Sequence, residues 1–316
     1  MTAAAPEKIA PFERLSNRDL TKDLDLTLEE LSGLLDLAAD VKRSPGDYAA
    51  ALAGKSIAML FEKPSLRTRM TFELAIQQLG GFALVSEGAI GVREPLKDMA
   101  RNLERWVNGI VARTFLQKTV DGLAQWSRVP VINALSDMFH PCQALADMQT
   151  VHEHFGTFHG IKFAFIGDGN NMAHSLMLNA ARLGMDFALA TPKKYEANAE
   201  IVAEARALAA CSDAKFVVTH DPAEAAAGAH AIYTDVWASM GAENEAAERR
   251  TAFADYQVDD ELFRHAAPNA IFMHCLPAKR GEEVTDSVIE SKRSVVFDQA
   301  ENRLHAQKAL LLMLLA

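Results

Sequence analysis

The segment Ser56-Ile57-Ala58-Met59-Leu60-Phe61-Glu62-Lys63-Pro64-Ser65-Leu66-Arg67-Thr68-Arg69 begins as an apolar run of strand length. It breaks at a proline and then places a serine, a threonine and two arginines within five residues. A helical pattern, Met70–Leu79, follows. Strand, turn and helix in this order form the repeating unit of an α/β protein. Hydroxyls, unpaired backbone N–H groups and guanidinium forks gathered at a helix start are suited to grip an oxyanion. Far downstream, Phe272-Met273-His274-Cys275-Leu276-Pro277 ends another apolar run on a lone cysteine between histidine and proline.

The same alternation extends from about Ser56 to Gln299. Strands are expected at Ser56–Phe61, Phe82–Val85, Gly109–Arg113, Val131–Asn133, Lys162–Ile166, Asp186–Thr191, Lys215–Val218, Ala231–Thr234, Ala270–His274 and Ser294–Phe297. Helical patterns lie between most of them. The fold class read from this is α/β, with two doubly wound domains, each a mainly parallel sheet flanked by helices, joined by crossover helices. A helix from His140 to about His154, with Pro141 in its first turn, is the expected crossover. The domains are then 1–140 and 141–299, with an apolar helix at 300–316 packing back onto the first.

The chain has 316 residues, enough for two cores, and 49% are hydrophobic. Its formal charge of −10 argues against a nucleic-acid partner, which needs a basic surface. Arginines inside unusual motifs (Arg67, Arg69, Arg113, Arg280, Arg303) still allow a small anionic ligand. Three scattered cysteines with no C-x-x-C fit a reducing compartment better than a disulfide framework or zinc site. With no signal-like N-terminus and no apolar run near the roughly 20 residues of a membrane span, a cytoplasmic protein without a membrane partner is expected.

Arg113 ends a strand, where ligands of parallel sheets gather, and so can share an anion with the Ser65 turn. In His140-Pro141-Cys142-Gln143, positions 140 and 143 share a helix face. The imidazole can donate to a developing oxyanion, and the amide can hold a carbamoyl-like NH2. Gly167-Asp168-Gly169-Asn170-Asn171-Met172 invites a dinucleotide reading, but Met172 replaces the third glycine and no acidic residue ends the next strand. A nucleotide-dependent oxidoreductase is therefore disfavoured, and the asparagines suggest a small polar substrate. In Asp235-Val236-Trp237-Ala238-Ser239-Met240-Gly241, Asp235 suits an ammonium, and a backbone N–H near Met240 suits a carboxylate. His152, His154 and His159 read as surface residues rather than metal ligands, and Cys211 as structural.

These motifs resemble, from end to end and in order, the aspartate/ornithine carbamoyltransferase family, on its ornithine branch. The matching segments are Phe61–Arg69, His140–Asp147, Gly167–Asn171, Asp235–Gly241, His274–Pro277 and Val296–Arg303. The resemblance implies transfer of a carbamoyl group from carbamoyl phosphate to ornithine, with no metal or organic cofactor. It implies that Ser65, Leu66, Arg67, Thr68, Arg113, His140, Gln143, Cys275, Leu276 and Arg303 bind carbamoyl phosphate. It implies that Asn171, Asp235, Ser239 and Met240 bind ornithine, with Cys275 and Leu276 beside its δ-amine. Cys275, Arg113 and His140 are the implied catalytic groups, and Cys275 is not expected to act as a nucleophile. A homotrimer, or a multiple of trimers, is implied. Two departures stand out. Leu66 occupies a position where many members carry threonine. The loop Ser86–Glu94 is shorter than usual by about three residues, a change loops tolerate. In the family this loop reaches a neighbouring subunit's site, and Arg93, its only cation, is expected to do so here. Sister enzymes acting on N-acylated ornithine or putrescine, and a non-catalytic ligand-binding relative, are the competing readings.

Overall fold

The computed structural model describes residues 12–238 and 243–316; Ser239 and Met240 lie outside the described residues. The chain forms two compact units: one runs to Gln149 and includes Glu301–Ala316, and the other is Thr150–Ala300. The first division therefore falls inside a helix, nine residues beyond the boundary expected at 140/141. A buried tie explains this, since Cys142 Sγ donates to Asn133 O at 3.4 Å and fastens the helix start to the first unit.

The first unit contains α1 (Leu28–Arg43), β1 (Ser56–Phe61), α2 (Leu66–Gln78), β2 (Phe82–Glu87), α3 (Leu96–Leu103), β3 (Gly109–Arg113), α4 (Gln117–Trp126), β4 (Val131–Leu135) and the start of α5 (Pro141–Phe155). Its strands are parallel in the order β2-β1-β3-β4. Ala58, Leu60, Ile110, Ala112, Val131 and, from α4, Leu123 form a core on one face. α2 begins at Leu66, so the hydroxyl and guanidinium run is its first turn rather than a preceding loop.

The second unit contains β5 (Lys162–Ile166), α6 (Asn171–Arg182), β6 (Asp186–Ala190), α7 (Ala199–Cys211), β7 (Phe216–Thr219), α8 (Pro222–Ala226), β8 (Ala231–Thr234), α9 (Ala246–Ala252), α10 (Asp260–Phe263), β9 (Ile271–His274), α11 (Asp286–Ile289) and the start of α12 (Val296–Leu315). Its parallel order is β7-β6-β5-β8-β9. The strand expected at Ser294–Phe297 does not form. Ser294 makes a single bridge to Phe272, and α12 starts at Val296, four residues before the expected helix. Cys211, read as structural, is exposed at the end of α7. His152, His154 and His159 are exposed.

In each sheet the strand order reverses direction beside its first strand, between β1 and β3 and between β5 and β8. Such a switch point opens a crevice at the carboxyl ends of the strands. The Ser65 turn follows β1 and Arg113 ends β3, while the Gly167–Asn171 and Asp235–Trp237 segments follow β5 and β8. In both units the topology brings together residues that are distant in sequence.

Candidate functional site

The first unit gathers buried cationic and hydroxyl groups at its switch point. Thr68, in the first turn of α2, is 1% exposed, and its hydroxyl accepts from Arg303 Nη2 at 2.7 Å and from Arg113 Nη1 at 3.4 Å. Phe61 pairs with Arg113 across β1 and β3, which fixes the height of that guanidinium. A register shift between Ala112 and Arg113 against β4 re-aims the end of β3. Two buried guanidinium groups on one hydroxyl concentrate positive charge there, an arrangement suited to cradling an anion.

His140, just before α5, is buried. Burial, and then the charges of Arg303 and Arg113, push its pKa well below the usual 6.5, so it is a neutral imidazole at pH 7. Gln143 Nε2 donates to Asp147 Oδ1 at 2.8 Å, while its buried Oε1 has no hydrogen-bond partner among the described residues. That oxygen can accept from an NH2 group. Ser65 is the N-cap of α2, yet its side chain makes no capping bond. Leu66 is 74% exposed, so this position can offer the cradle its backbone N–H while its side chain faces away. Arg69 pairs instead with Glu73 at 3.1 Å and Glu87 at 2.5 Å, and Arg280 with Asp286 and Glu290. Neither Arg69 nor Arg280 is needed to explain an anion site. Burial raises Cys142 to about 12, which makes it an inert thiol.

The second unit gathers a carboxylate, an amide and a thiol. Asp235, 8% exposed after β8, accepts from Cys275 Sγ at 3.1 Å and Val236 N at 2.8 Å through Oδ1, and from Asn170 Nδ2 at 3.0 Å through Oδ2. Asn170 is also the N-cap of α6, its Oδ1 accepting from Met172 N at 2.9 Å and Ala173 N at 3.2 Å. A Cβ at Gly169 would lie 2.2 Å from Ala197 N, so only glycine lets the turn pass that backbone. Asn171, expected to meet substrate, is the first residue of α6, one position beyond this cap. Burial raises Asp168 to about 6 against the pull of Arg249, whose Nη1 lies 2.8 Å away. Arg249 Nη1 also donates to Trp237 O at 2.8 Å, tying the Asp168 turn to the segment after Asp235.

Two positioning roles at these sites were not expected from sequence. Asn170, read with Asn171 as a polar group for substrate, caps α6 and donates to Asp235, although an asparagine one residue before a helix is a capping signal. Glu62 has the other; its carboxylate accepts from Ile90 N at 3.1 Å and Phe115 N at 2.8 Å. No sequence pattern marks that bridge. Asp235, His274 and Cys275 bring potential ligand atoms within 4.8 Å of one another. Both His274 nitrogens are engaged elsewhere, Nδ1 by Leu276 N at 2.8 Å and Nε2 by Glu283 at 3.2 Å, which makes the trio a poor metal site.

Comparison with known proteins covers both units. Residues 18–153 match the carbamoyl-P binding domain of aspartate/ornithine carbamoyltransferase, and residues 159–314 match its Asp/Orn binding domain. The chain is 51% identical over 306 residues to an ornithine carbamoyltransferase of Thermococcus kodakarensis, covering 95% of this chain and 97% of that protein. It is 50% identical to an anabolic ornithine carbamoyltransferase of Pyrococcus furiosus, covering 95% and 97%. The solved structure of ornithine carbamoyltransferase from Pyrococcus furiosus superposes with a TM-score of 0.93 at 50% identity, covering 96% of this chain and 98% of that one. That from Gloeobacter violaceus gives 0.87 at 44% identity, covering 97% and 100%. With both of its units matched and about half of its residues shared, the chain belongs to the aspartate/ornithine carbamoyltransferase family.

Proposed function

We propose that this chain is an ornithine carbamoyltransferase, converting carbamoyl phosphate and L-ornithine to L-citrulline and phosphate. The observation that carries the reading is the Asp235 carboxylate held at 3.1 Å from Cys275 Sγ and 3.0 Å from Asn170 Nδ2, in a chain half identical to ornithine carbamoyltransferases. A buried carboxylate beside a thiol suits a diamino acid: the carboxylate pairs with the α-ammonium, and the thiol lies next to the δ-amine.

In this reading Ser65, Leu66 N–H, Arg67, Thr68, Arg113 and Arg303 hold the phosphate of carbamoyl phosphate. Gln143 Oε1 accepts from its NH2, and neutral His140 donates to its carbonyl oxygen. The δ-ammonium, near pKa ~10.4 in water, must first lose a proton, and Cys275 with Asp235 steers that transfer. The freed nitrogen lone pair attacks the carbonyl carbon, and the C=O pair moves onto oxygen. Thr68, Arg113 and His140 stabilise that oxyanion by donors already in place. The oxyanion then collapses, the C–O bond to phosphate breaks, the new C–N nitrogen gives its extra proton to the departing phosphate oxygen, and inorganic phosphate leaves into the arginine cradle. Positioning two reactants supplies most of the rate, and no cofactor takes part. Asn171, Ser239 and Met240 complete the ornithine pocket, and Leu276 lies beside the δ-amine.

The same reading takes the enzyme to be a cytoplasmic homotrimer, or a multiple of trimers, in arginine biosynthesis. No described helix is long and apolar enough to cross a membrane. Leu66, Met70 and Leu74 form an exposed stripe at i, i+4 and i+8 on α2, and Phe82 and Leu84 are exposed on the edge strand β2. Such an apolar face favours burial against another copy. The relative from Pyrococcus furiosus is an anabolic enzyme, which supports the biosynthetic direction. Carbamoyl phosphate labelled with carbon-13 tests the reaction. The label should move to the ureido carbon of citrulline, with one phosphate released per transfer. Phosphate release without labelled citrulline would contradict the reading.

A further inference from the structure

We infer that Asp147 is a positioning residue that fixes the side-chain amide of Gln143 one way round, oxygen towards the substrate, and so makes the site select a carbamoyl over an acetyl group. The inference rests on the carbamoyl phosphate half of the proposed function. Gln143 and Asp147 stand at i and i+4 on α5, where side chains meet on one face. Gln143 is 1% exposed and Asp147 0% exposed. Gln143 Nε2 donates to Asp147 Oδ1 at 2.8 Å. An amide carries an NH2 on one side and a carbonyl oxygen on the other, and the two have nearly the same shape. Steric fit therefore does not decide which of them faces the site. A carboxylate accepts and does not donate, so it takes only the NH2. Turning the amide over would set Oε1 against Oδ1, two acceptors with no proton between them.

The other end of the amide is thereby set as an acceptor. Oε1 is buried and has no hydrogen-bond partner among the described residues. The start of α5 adjoins the arginine cradle: His140, three residues before Gln143 and on the same face, feels the charges of Arg303 and Arg113. Gln143 N donates to His140 O at 3.1 Å, which ties the two residues into one turn. Carbamoyl and acetyl phosphate share the carbonyl and phosphate groups and differ in NH2 against CH3. Only the NH2 gives Oε1 a donor, and a methyl group in its place leaves a buried acceptor unpaired. A site built to pair with a substrate N–H rejects the analogue lacking it far more strongly than a pocket rejects a small change of size.

Calorimetry with two stable phosphonates tests this without turnover. Phosphonoacetamide carries the NH2, and acetonylphosphonate carries a CH3 in its place. The unmodified enzyme should bind phosphonoacetamide about 10²-fold more tightly, and a preference below about tenfold would overturn the inference. That arm needs no variant to fold. Asp147→Leu frees the amide to turn, so the preference should fall to about threefold or less, while inorganic phosphate should bind within about threefold of its unmodified affinity. Asp147→Asn keeps an acceptor for Nε2–H but also offers a donor to Oε1, so Gln143 is the right way round in about half of the molecules. It should weaken phosphonoacetamide by only about twofold. A merely structural role would weaken all three ligands alike. The inference is overturned by a preference kept in Asp147→Leu, by one lost as fully in Asp147→Asn, or by loss of phosphate binding along with the preference in Asp147→Leu. Failure of the unmodified enzyme to make citrulline while these affinities hold would overturn the ornithine half of the functional reading instead.

Discussion

Replacing Asp235 with asparagine changes one atom, and the surrounding contacts set what that change does. Oδ1 already accepts from Cys275 Sγ and Val236 N, so the new amide must place its NH2 at the Oδ2 position. There it meets Asn170 Nδ2, which lies 3.0 Å from Oδ2 in the native arrangement. Asn170 cannot flip to accept, because its own oxygen caps α6 through Met172 N and Ala173 N. The donor–donor conflict should reduce stability by roughly 1–3 kcal/mol. Catalysis is hit separately. A unit charge pair about 4 Å apart near a protein surface is worth about 4 kcal/mol, of which a neutral hydrogen bond restores about 1. The net loss of about 3 kcal/mol corresponds to about 10²-fold in kcat/KM for ornithine. The double variant Asn170→Asp/Asp235→Asn reverses donor and acceptor. The carboxylate introduced at position 170 could still cap α6 while accepting from the new amide, so the melting temperature should recover. The ornithine constant should recover much less, because the charge now sits on α6. The assay is citrulline formation with ornithine varied at saturating carbamoyl phosphate, alongside thermal melting. A single variant within about threefold of the unmodified enzyme would refute the ammonium-pairing role, as would a double variant that regains full activity.

Four further outcomes follow from the geometry. Cys275→Ser should lose about 10²-fold in kcat or ornithine affinity while carbamoyl phosphate binding is kept; loss of that binding would show that the thiol belongs to the phosphate half. Arg303→Met removes a charge-assisted bond to Thr68 and should weaken carbamoyl phosphate binding by about 10–100-fold in calorimetry, whereas unchanged affinity would remove Arg303 from the cradle. His140 has a folded pKa well below its unfolded 6.5, so its contribution to stability is fully present above that value and is lost as pH falls towards the folded pKa. Melting curves from pH 7.5 to 5 should show up to about 1.4 kcal/mol lost per pH unit from this group, and His140→Gln should flatten the slope; equal slopes would contradict it. Arg93→Ala should raise KM for carbamoyl phosphate without changing the melting temperature, since the side chain is exposed within its own subunit; an unchanged KM would refute its reach into a neighbouring site.

Much of the architecture was legible because parallel strands buried on both faces read as continuous apolar runs. Ser56–Phe61, Gly109–Arg113, Lys162–Ile166 and Ala231–Thr234 have the same limits in sequence and structure. The failure at Ser294–Phe297 has the same origin. Only Val295 and Val296 of that run are buried while Phe297 is exposed, and run length alone does not separate a strand end from a helix start. The candidate residues Thr68, Arg113 and Arg303 converge as polar groups of one unit. Positioning groups were harder to read. Asn170 acts through a cap, Glu62 through the N–H groups of Ile90 and Phe115 in distant loops, Glu283 through that of Lys279, and Gln299 through that of His274 at the end of β9; such backbone contacts leave no pattern in the chain.

The most direct measurement is product formation from carbamoyl phosphate with ornithine, N-acetylornithine, putrescine and aspartate offered in parallel. The account predicts citrulline from ornithine and negligible product from the other three. Turnover of another amine with none of ornithine would contradict it, leaving the carbamoyl phosphate cradle standing and removing the assignment of Asp235 and Cys275 to ornithine.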